Sequence, residues 1–293
     1  MHRNTYLPEG CGALLPEKLS LSALQECVKE ETVWEGVVIR CDSSRNLHVQ
    51  AGGYSGVIPR EEVVHPYITG SERDIAILSR VGRRVCFTVT GVEVDAGGRP
   101  HLTLSRRNAQ EQAIHWLLEH ASVGDILPAC VTHLAAFGAF VDLGCGFISL
   151  IPLENISYAR VSHPKQRFQV GQEILVLVTD IQQDSCRFYL SHKELLGTWL
   201  ENAADFAAGE TVTGIVRGIR EYGTFVELSP NLSGLAEGWG HLPDGELVSV
   251  YIKSIRPEVQ KVKLQIVDDL GVADRLPALR YRITDGTIKQ WCY

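Results

Sequence analysis

Short runs of alternating apolar and polar residues follow one another along most of this 293-residue chain, separated by glycine, asparagine and aspartate. Alternation with a period of two is typical of β-strands with one buried face, and frequent turn residues favour small all-β units. Each unit of roughly 70 residues contains about five such runs, which is the pattern of a small closed β-barrel. The chain is therefore predicted to be all-β.

The strand pattern repeats along the chain. Residues 124–152 align with residues 209–237 at an offset of 85, and a second β-rich stretch follows in both units. A more divergent copy comes first, at 33–59 and 81–105. Self-similarity of this kind is the signature of a repeat architecture, so the sequence predicts three tandem barrels.

Helical spacing separates the predicted barrels. Ile114, Leu117 and Leu118 recur at the three- and four-residue spacing of a helix face, which predicts a linker helix. Near the end of the chain, Asp285-Gly286 between β-prone residues predicts a hairpin. The predicted divisions are a helical extension at 1–30, repeat 1 at 31–106, the linker helix at 107–122, repeat 2 at 123–193, a linker at 194–207, repeat 3 at 208–268 and a hairpin tail at 269–293.

One short motif, an aromatic residue followed by glycine and then by phenylalanine two positions later, occurs in both better-preserved repeats. Phe137 and Phe140 flank Gly138, and Tyr222 and Phe225 occupy the same places in repeat 3. In a regular strand, residues three apart point to opposite faces, so one ring would lie in the core. Alternatively, the glycine forms a bulge that brings both rings to one face. Recurrence of the motif favours this second arrangement, an exposed platform on which unstacked bases bind.

Basic residues lie near both predicted platforms and are candidates for phosphate contacts, although an ordinary solvated loop is an equally simple interpretation of any one of them. In repeat 2 they are Arg160, His163, Lys165 and Arg167, and in repeat 3 they are Arg217, Arg220, Lys253, Arg256 and Lys261.

Overall composition narrows the possible functions. The formal net charge of −7 argues against affinity for nucleic acid over the whole surface, but a local basic groove is compatible with it. Eight scattered cysteines without a C-x-x-C pair indicate reduced thiols, and neither a leader nor a membrane-length apolar run is evident. A cytoplasmic protein without membrane contact is therefore expected.

Catalytic and metal-binding motifs are not found in the sequence. The helical spacing of His115, Glu119 and His120 is more simply a solvated helix face than a metal site. No enzyme activity, cofactor or metal is therefore expected. Trp199 and Trp291 are interpreted as packing residues, and Trp239 as a further candidate for stacking near the third platform.

The repeats resemble S1 domains, the OB-fold RNA-binding modules named for ribosomal protein S1. The resemblance is carried by "FGAFVDLG" and "YGTFVEL", by the short segments at 149–151 and 234–236, and by "RFYLSHKE" at the end of repeat 2. It implies that the aromatic pairs and a cation, Arg187 or Lys261, contact RNA. Two polar positions of the family differ here: its histidine is replaced by Pro59, Pro152 and Glu237, and its aspartate by Glu93, Gln182 and Arg256.

The resemblance further implies a function on the ribosome. We expect non-catalytic binding of single-stranded RNA through repeats 2 and 3, with repeat 1 docking on the small ribosomal subunit and the chain acting on messenger RNA in translation initiation. A protein-docking scaffold and a regulatory or RNA-turnover factor with weak RNA affinity are the alternatives.

Overall fold

The computed structural model describes residues 6–66, 74–237, 242–272, 276, 278–288 and 291. Within them, fifteen strands form three closed five-stranded barrels, which confirms the predicted fold class. Barrel 1 contains β1 (Val33–Cys41), β2 (Leu47–Ala51), β3 (Tyr54–Ile58), β4 (Arg84–Val94) and β5 (Pro100–Ser105). Barrel 2 contains β6 (Ile126–Ala135), β7 (Gly138–Asp142), β8 (Ile148–Pro152), β9 (Glu173–Gln182) and β10 (Arg187–Ser191). Barrel 3 contains β11 (Thr211–Arg220), β12 (Gly223–Ser229), β13 (Leu232–Ala236), β14 (Glu246–Arg256) and β15 (Lys261–Val272).

The three barrels share one topology. The first three strands form an antiparallel meander, the fourth strand pairs with the first and fifth, and the fifth closes the barrel against the third in parallel. Alternate residues of each strand point inward, as Val262, Leu264 and Ile266 of β15 do. Each barrel has its own apolar core, so each buries the inward face of its own strands.

Among the described residues, four α-helices accompany the barrels: α1 (Leu21–Glu30), α2 (Asp74–Leu78), α3 (Arg106–His120) and α4 (Trp199–Ala203). The first helix is capped by Ser20, whose hydroxyl accepts from the backbone N–H of Ala23, and it buries Leu24 in the core of barrel 1. The third helix follows barrel 1 directly and places Ile114 and Leu117 in the core of barrel 2. No helix of the described part of the chain is long and apolar enough to span a bilayer.

A buried ion pair and a hydrogen bond through Glu9 link α3 and the N-terminal segment to barrel 2. Arg106, the first residue of α3, is fully buried, and its Nε and Nη2 donate to the two carboxylate oxygens of Glu9 at 2.6 and 3.0 Å. The backbone N–H of Glu9 donates in turn to Asp142 Oδ2 at 2.8 Å. Burial, together with the negative charge of the neighbouring Glu9, raises the pKa of Asp142 to about 7. Burial opposes ionisation of Glu9 as well, but Arg106 beside it holds its pKa below the usual value.

A second buried ion pair joins barrels 2 and 3. Arg167, in the loop between β8 and β9, reaches into barrel 3, where its Nη2 donates to Glu227 Oε2 at 2.8 Å. Arg217 Nε donates to the same oxygen at 2.6 Å. Glu227 and Asp142 occupy equivalent positions 85 residues apart, so the second strand of each barrel presents its carboxyl group to the junction with the preceding barrel.

The described part of the tail forms no hairpin, which differs from the expectation at Asp285-Gly286. Thr287 bridges to Asp125 instead, and the N–H of Ile288 donates to Gly124 O at 2.8 Å. The hairpin prediction used only local turn propensity, whereas here the backbone groups beside the turn find partners on barrel 2.

The tail also holds a buried histidine of barrel 2 in its neutral form. His192 has one ring nitrogen, Nδ1, at 2.9 Å from Ile156 O and the other, Nε2, at 3.1 Å from the Tyr281 hydroxyl. The hydroxyl of Tyr281 accepts from the N–H of Leu175, so its proton is available for Nε2. Burial lowers the pKa of His192 from 6.5 to about 4.

Acidification should therefore destabilise barrel 2 through His192. The folded chain binds this proton more weakly than the unfolded chain, so the stabilisation is complete above pH 6.5 and is lost as the pH falls to about 4. The loss is expected to reach about 3 kcal/mol, and urea unfolding at pH 7 and pH 4 measures it. His192→Gln should reduce this pH dependence, whereas His101→Gln, a change at an exposed histidine, should retain it. Equal pH dependence in both variants would contradict the assignment.

Candidate nucleic-acid interface

Each of the two predicted aromatic pairs lies on one outer face of its barrel. The ring centroids of Phe137 and Phe140 are 5.9 Å apart at an interplanar angle of 86°, and those of Tyr222 and Phe225 are 6.1 Å apart at 87°. Phe137 is 60% exposed and Tyr222 is 64% exposed. The rings of each pair thus share a face, and we call the pairs platform 2 (Phe137 and Phe140) and platform 3 (Tyr222 and Phe225).

The predicted bulge at the glycine is wrong, because the first ring of each pair comes from a turn. Phe137 occupies the turn between β6 and β7, and Tyr222 occupies the turn between β11 and β12. The glycine that follows allows a close approach of two strands. A Cβ at Gly138 would lie 2.4 Å from the carbonyl oxygen of Ile151, and the equivalent position, Gly223, is as crowded by the next strand. The pairing between the two strands is instead interrupted on the preceding strand, where Thr132 of β6 and Arg217 of β11 are skipped in the register.

Further side chains extend platform 2 across the sheet. The ring of His133 lies 5.8 Å from that of Phe140 on the neighbouring strand. The register continues from Phe140 through Leu150 to Tyr189, which is exposed. Sequence reasoning missed Tyr189, although it stands two residues after Arg187 and so shares its face of β10.

Platform 3 has the same framework but carries different side chains. Phe225 pairs with Gly218 and Leu235, and Leu235 pairs with Lys263. Lys263 therefore replaces the exposed tyrosine of barrel 2, and its Nζ lies 3.6 Å from Glu237. An ion pair thus occupies the edge of platform 3 where platform 2 has an exposed aromatic ring.

The predicted cations divide into exposed and buried groups. Two of them, Arg167 and Arg217, are held by Glu227 at the junction between barrels 2 and 3, with side-chain exposures of 0% and 5%. The predicted phosphate contact of Arg167 is therefore corrected, because a fully buried, ion-paired guanidinium does not reach a ligand on the outer face, whereas Arg217 is ion-paired but also lines a cleft beside platform 3. The exposed cations are Arg160, Lys165, Arg187, Arg220, Lys253, Arg256 and Lys261, while His163 is partly buried and accepts from the N–H of Lys165 at 3.1 Å.

A cleft of about 300 Å³ joins platform 3 to the loop that follows β8. Tyr222, Phe225 and Arg220 line one side, and Tyr158 and Arg160 of barrel 2 line the other. The N–H of Tyr158 donates to Asn231 Oδ1 at 3.1 Å, which fixes this loop on barrel 3. Aromatic faces and guanidinium groups thus meet in one cleft, and together they suit a nucleotide, with its flat base and its phosphate.

Barrel 1 has no aromatic platform at the equivalent positions. His48 occupies the position of Phe140, since it pairs with Val57 of β3 as Phe140 pairs with Leu150 of β8. Arg45, three residues before His48, occupies the position of Phe137. Both side chains are engaged by acids: His48 Nε2 lies 3.2 Å from Asp42 Oδ2, and Arg45 Nε lies 2.9 Å from Asp74 Oδ2. The outer face of barrel 1 therefore differs in kind from those of barrels 2 and 3.

The two described tryptophans among the remaining candidates have packing or hydrogen-bonding contacts within the protein. Trp199 is buried in the core of barrel 3, and Trp291 Nε1 donates to the hydroxyl of Tyr158 at 2.9 Å. Trp239 lies outside the described residues. The ring of His120 stacks on Trp116 at 4.8 Å, and no group of three possible metal-ligating His, Cys, Asp or Glu residues occurs among the described residues.

Closed barrels with this strand order place the chain among tandem OB-fold proteins, whose outer sheet face is a common site for nucleic acids. The family model described as "S1 RNA binding domain" matches residues 121–193, which include all of barrel 2. The chain therefore contains an S1 domain, as its motifs predicted.

Similar proteins come from bacterial ribosomes. The chain is 29% identical over 185 residues to the small ribosomal subunit protein bS1 homolog of Bacillus subtilis, covering 58% of this chain and 48% of that protein. It is 32% identical over 162 residues to small ribosomal subunit protein bS1 of Staphylococcus aureus, covering 51% of this chain and 41% of that protein. The chain thus spans less than half of the length of these relatives.

Among solved structures, a multidomain protein with nucleic acid binding domains from Streptococcus pneumoniae is similar over 81% of this chain and 74% of that one. Its sequence identity is 15% and its TM-score is 0.26.

Proposed function

We propose that this chain binds single-stranded RNA, without catalysis, through platforms 2 and 3. The observation that carries this proposal is the duplicated pair of rings at right angles, 5.9 and 6.1 Å apart, with the first ring exposed and the second half-buried on the same face of two barrels. Aromatic rings in a groove with basic side chains hold successive bases by stacking, and the cations contact the backbone. Arg187 in barrel 2 and Lys261 in barrel 3 are exposed at the edge of these faces.

The site of action proposed for the chain is the small ribosomal subunit in the cytoplasm, where it would hold messenger RNA during translation initiation. The two curated relatives reported above are small ribosomal subunit proteins by name, which supports this place. Barrel 1 would dock on the subunit and not stack bases. At the positions of the two platform rings it carries Arg45 and His48, and both are paired with aspartates. If barrels 2 and 3 have also lost RNA affinity, the chain is a docking scaffold.

Equilibrium binding of a labelled single-stranded RNA of about 12 nucleotides, over a series of salt concentrations, tests the RNA-binding proposal. The wild-type chain should bind, and F137A/F140A and Y222A/F225A should each bind at least about tenfold more weakly, since a lost stack costs about 1–3 kcal/mol. Tyr251→Ala removes a partly exposed ring of β14 and is the matched control. Absence of binding at low salt, or double variants that bind like Tyr251→Ala, would contradict the proposal.

A further inference from the structure

A second cleft lies where barrels 1 and 2 meet, and it contains arginines of barrel 1. Its volume is about 430 Å³. Arg80, Arg83 and Arg84 line one side, and His133 and Thr132 of barrel 2 line the other. None of these arginines was predicted as a site residue, because repeat 1 lacks the aromatic motif and they lie at the end of the long connection between β3 and β4.

The cleft is held in place by the backbone of barrel 1. The N–H of Val38 donates to Arg83 O at 3.0 Å, and the N–H of Gly82 donates to Val38 O at 2.8 Å. These bonds tie the segment that carries the arginines to β1, so the guanidinium groups project from a fixed base.

The three arginines differ in how far they are already engaged. Arg84 is already engaged: its guanidinium lies 2.5 Å from the Glu35 carboxylate and donates to Gly10 O and Gly12 O of the N-terminal segment at 2.8 Å each. Arg80 donates to Glu9 at 3.2 Å. Arg83 is exposed and makes no ion pair with a carboxylate among the described residues. Arg83 is therefore the cation that an incoming anion meets first.

The charge balance of the cleft favours an anion. Arg84 is already paired with Glu35, which leaves Arg80 and Arg83 beside the carboxyl groups of Glu9 and Asp142. The pKa of Asp142 is raised to about 7 by burial, so this group is only partly ionised at neutral pH, and Glu9 is bound on both oxygens by the buried Arg106. The positive charge of Arg106 lowers the pKa of Arg80, because the two cations lie close together behind the cleft.

The cleft opens directly beside platform 2. His133, which lines the cleft, has its ring 5.8 Å from that of Phe140, and the hydroxyl of Thr132 donates to Phe140 O at 3.2 Å. The arrangement parallels the other junction, where Arg160 of barrel 2 faces platform 3. In both places the connection between the third and fourth strands of one barrel brings arginine to the aromatic face of the next.

We propose that this cleft is a phosphate-binding subsite in which Arg83, supported by Arg80, holds the backbone of the single-stranded RNA whose bases stack on platform 2. The inference rests on the proposed function and extends it to barrel 1, which then contacts RNA through its junction and not through its own outer face. The cleft lies beside platform 2, so a phosphate next to a base stacked on that platform can enter it. A guanidinium then binds the phosphate through charge-assisted hydrogen bonds.

Arg83→Gln in the full chain tests this subsite against the matched control Arg99→Gln. Both residues are exposed arginines of barrel 1: Arg83 directly precedes β4, and Arg99 ends the turn between β4 and β5. With the RNA of about 12 nucleotides, Arg83→Gln should weaken binding by about tenfold at low salt. It should also reduce the slope of log affinity against log salt by about 0.7, the contribution of one phosphate contact in a single strand. Arg99→Gln should change neither quantity.

Failure of the inference and failure of the proposed function give different results. If the wild-type chain binds RNA and the platform variants bind weakly, but Arg83→Gln has the salt slope of Arg99→Gln, the subsite is refuted and the proposed function stands. If the wild-type chain does not bind RNA at low salt, both are refuted. Thermal unfolding of Arg83→Gln at the wild-type temperature verifies that the variant is folded.

Discussion

Replacement of Glu227 by glutamine is expected to destabilise the junction between barrels 2 and 3 by about 3–5 kcal/mol, because it leaves two buried arginines without a counter-charge. Arg167 and Arg217 both donate to one oxygen of Glu227, at 2.8 and 2.6 Å, and neither guanidinium has significant contact with water. A neutral amide of nearly the same shape keeps the packing but removes the negative charge. Urea unfolding of the full chain measures the loss.

Glu221→Gln is the matched control, since it makes the same change of charge at an exposed turn of the same barrel. Its stability should stay within about 0.5 kcal/mol of wild type. Hydrogen exchange at the Tyr158 amide, which donates across the junction to Asn231, should accelerate in Glu227→Gln and remain unchanged in Glu221→Gln. Equal unfolding midpoints for the two variants would show that the ion pair does not stabilise the junction.

Replacing all three charges together separates the effect of charge from that of shape. In R167M/R217M/E227L, no charge remains buried at this junction, and replacement of a buried ion pair by apolar side chains is often neutral or stabilising. The triple variant should therefore recover most of the stability that Glu227→Gln loses. If it is less stable than Glu227→Gln, the hydrogen bonds of the triad, and not the unpaired charges, determine the stability of the junction.

The sequence predicts the barrels well because their determinants are local and repeated. Alternation of apolar residues sets the inward face of each strand, and the offset of 85 identifies the equivalent residues of barrels 2 and 3 without any structure. The exposure of Phe137 and Tyr222 follows from the same repeat, since an aromatic residue conserved between two copies beside an invariant glycine indicates a shared role. The predicted bulge is wrong because it assumes that both rings of a pair belong to one strand, whereas Phe137 and Tyr222 lie in turns. Periodicity does not fix the boundary between a strand and a turn.

Long-range contacts account for most of what the sequence does not predict. Arg167 stands in a basic loop that resembles a solvated surface, and its partner lies 60 positions away in another barrel. No periodicity marks such a loop residue as buried. The sequence therefore predicts that Arg167 contacts a phosphate, whereas in the structure it binds the carboxylate of Glu227. The same holds for Arg83, which comes near platform 2 only because barrel 1 packs against barrel 2.

The loop after β8 runs from platform 2 to the cleft of platform 3. The N–H of Leu153 donates to Phe137 O at 3.0 Å, so the loop after β8 begins beside platform 2. Five residues further, Tyr158 lines the cleft of platform 3. Five residues extend over at most about 18 Å, and a short 3₁₀ turn at Leu153–Asn155 makes this path shorter. One RNA strand is therefore expected to reach both platforms.

An RNA of about 20 nucleotides should accordingly bind about 100-fold more tightly than one of about 6 nucleotides, since the second platform is then engaged at high effective concentration. Y222A/F225A should abolish most of this gain, because only platform 2 remains for stacking, whereas Tyr251→Ala should preserve it. Titration of the three proteins with both RNAs measures the effect. If Y222A/F225A retains the full gain, the longer RNA benefits only from additional binding registers, and the two platforms act independently. If Y222A/F225A loses the gain in affinity for the longer RNA, platforms 2 and 3 act as one binding surface, held together by the loop from Leu153 to Arg160.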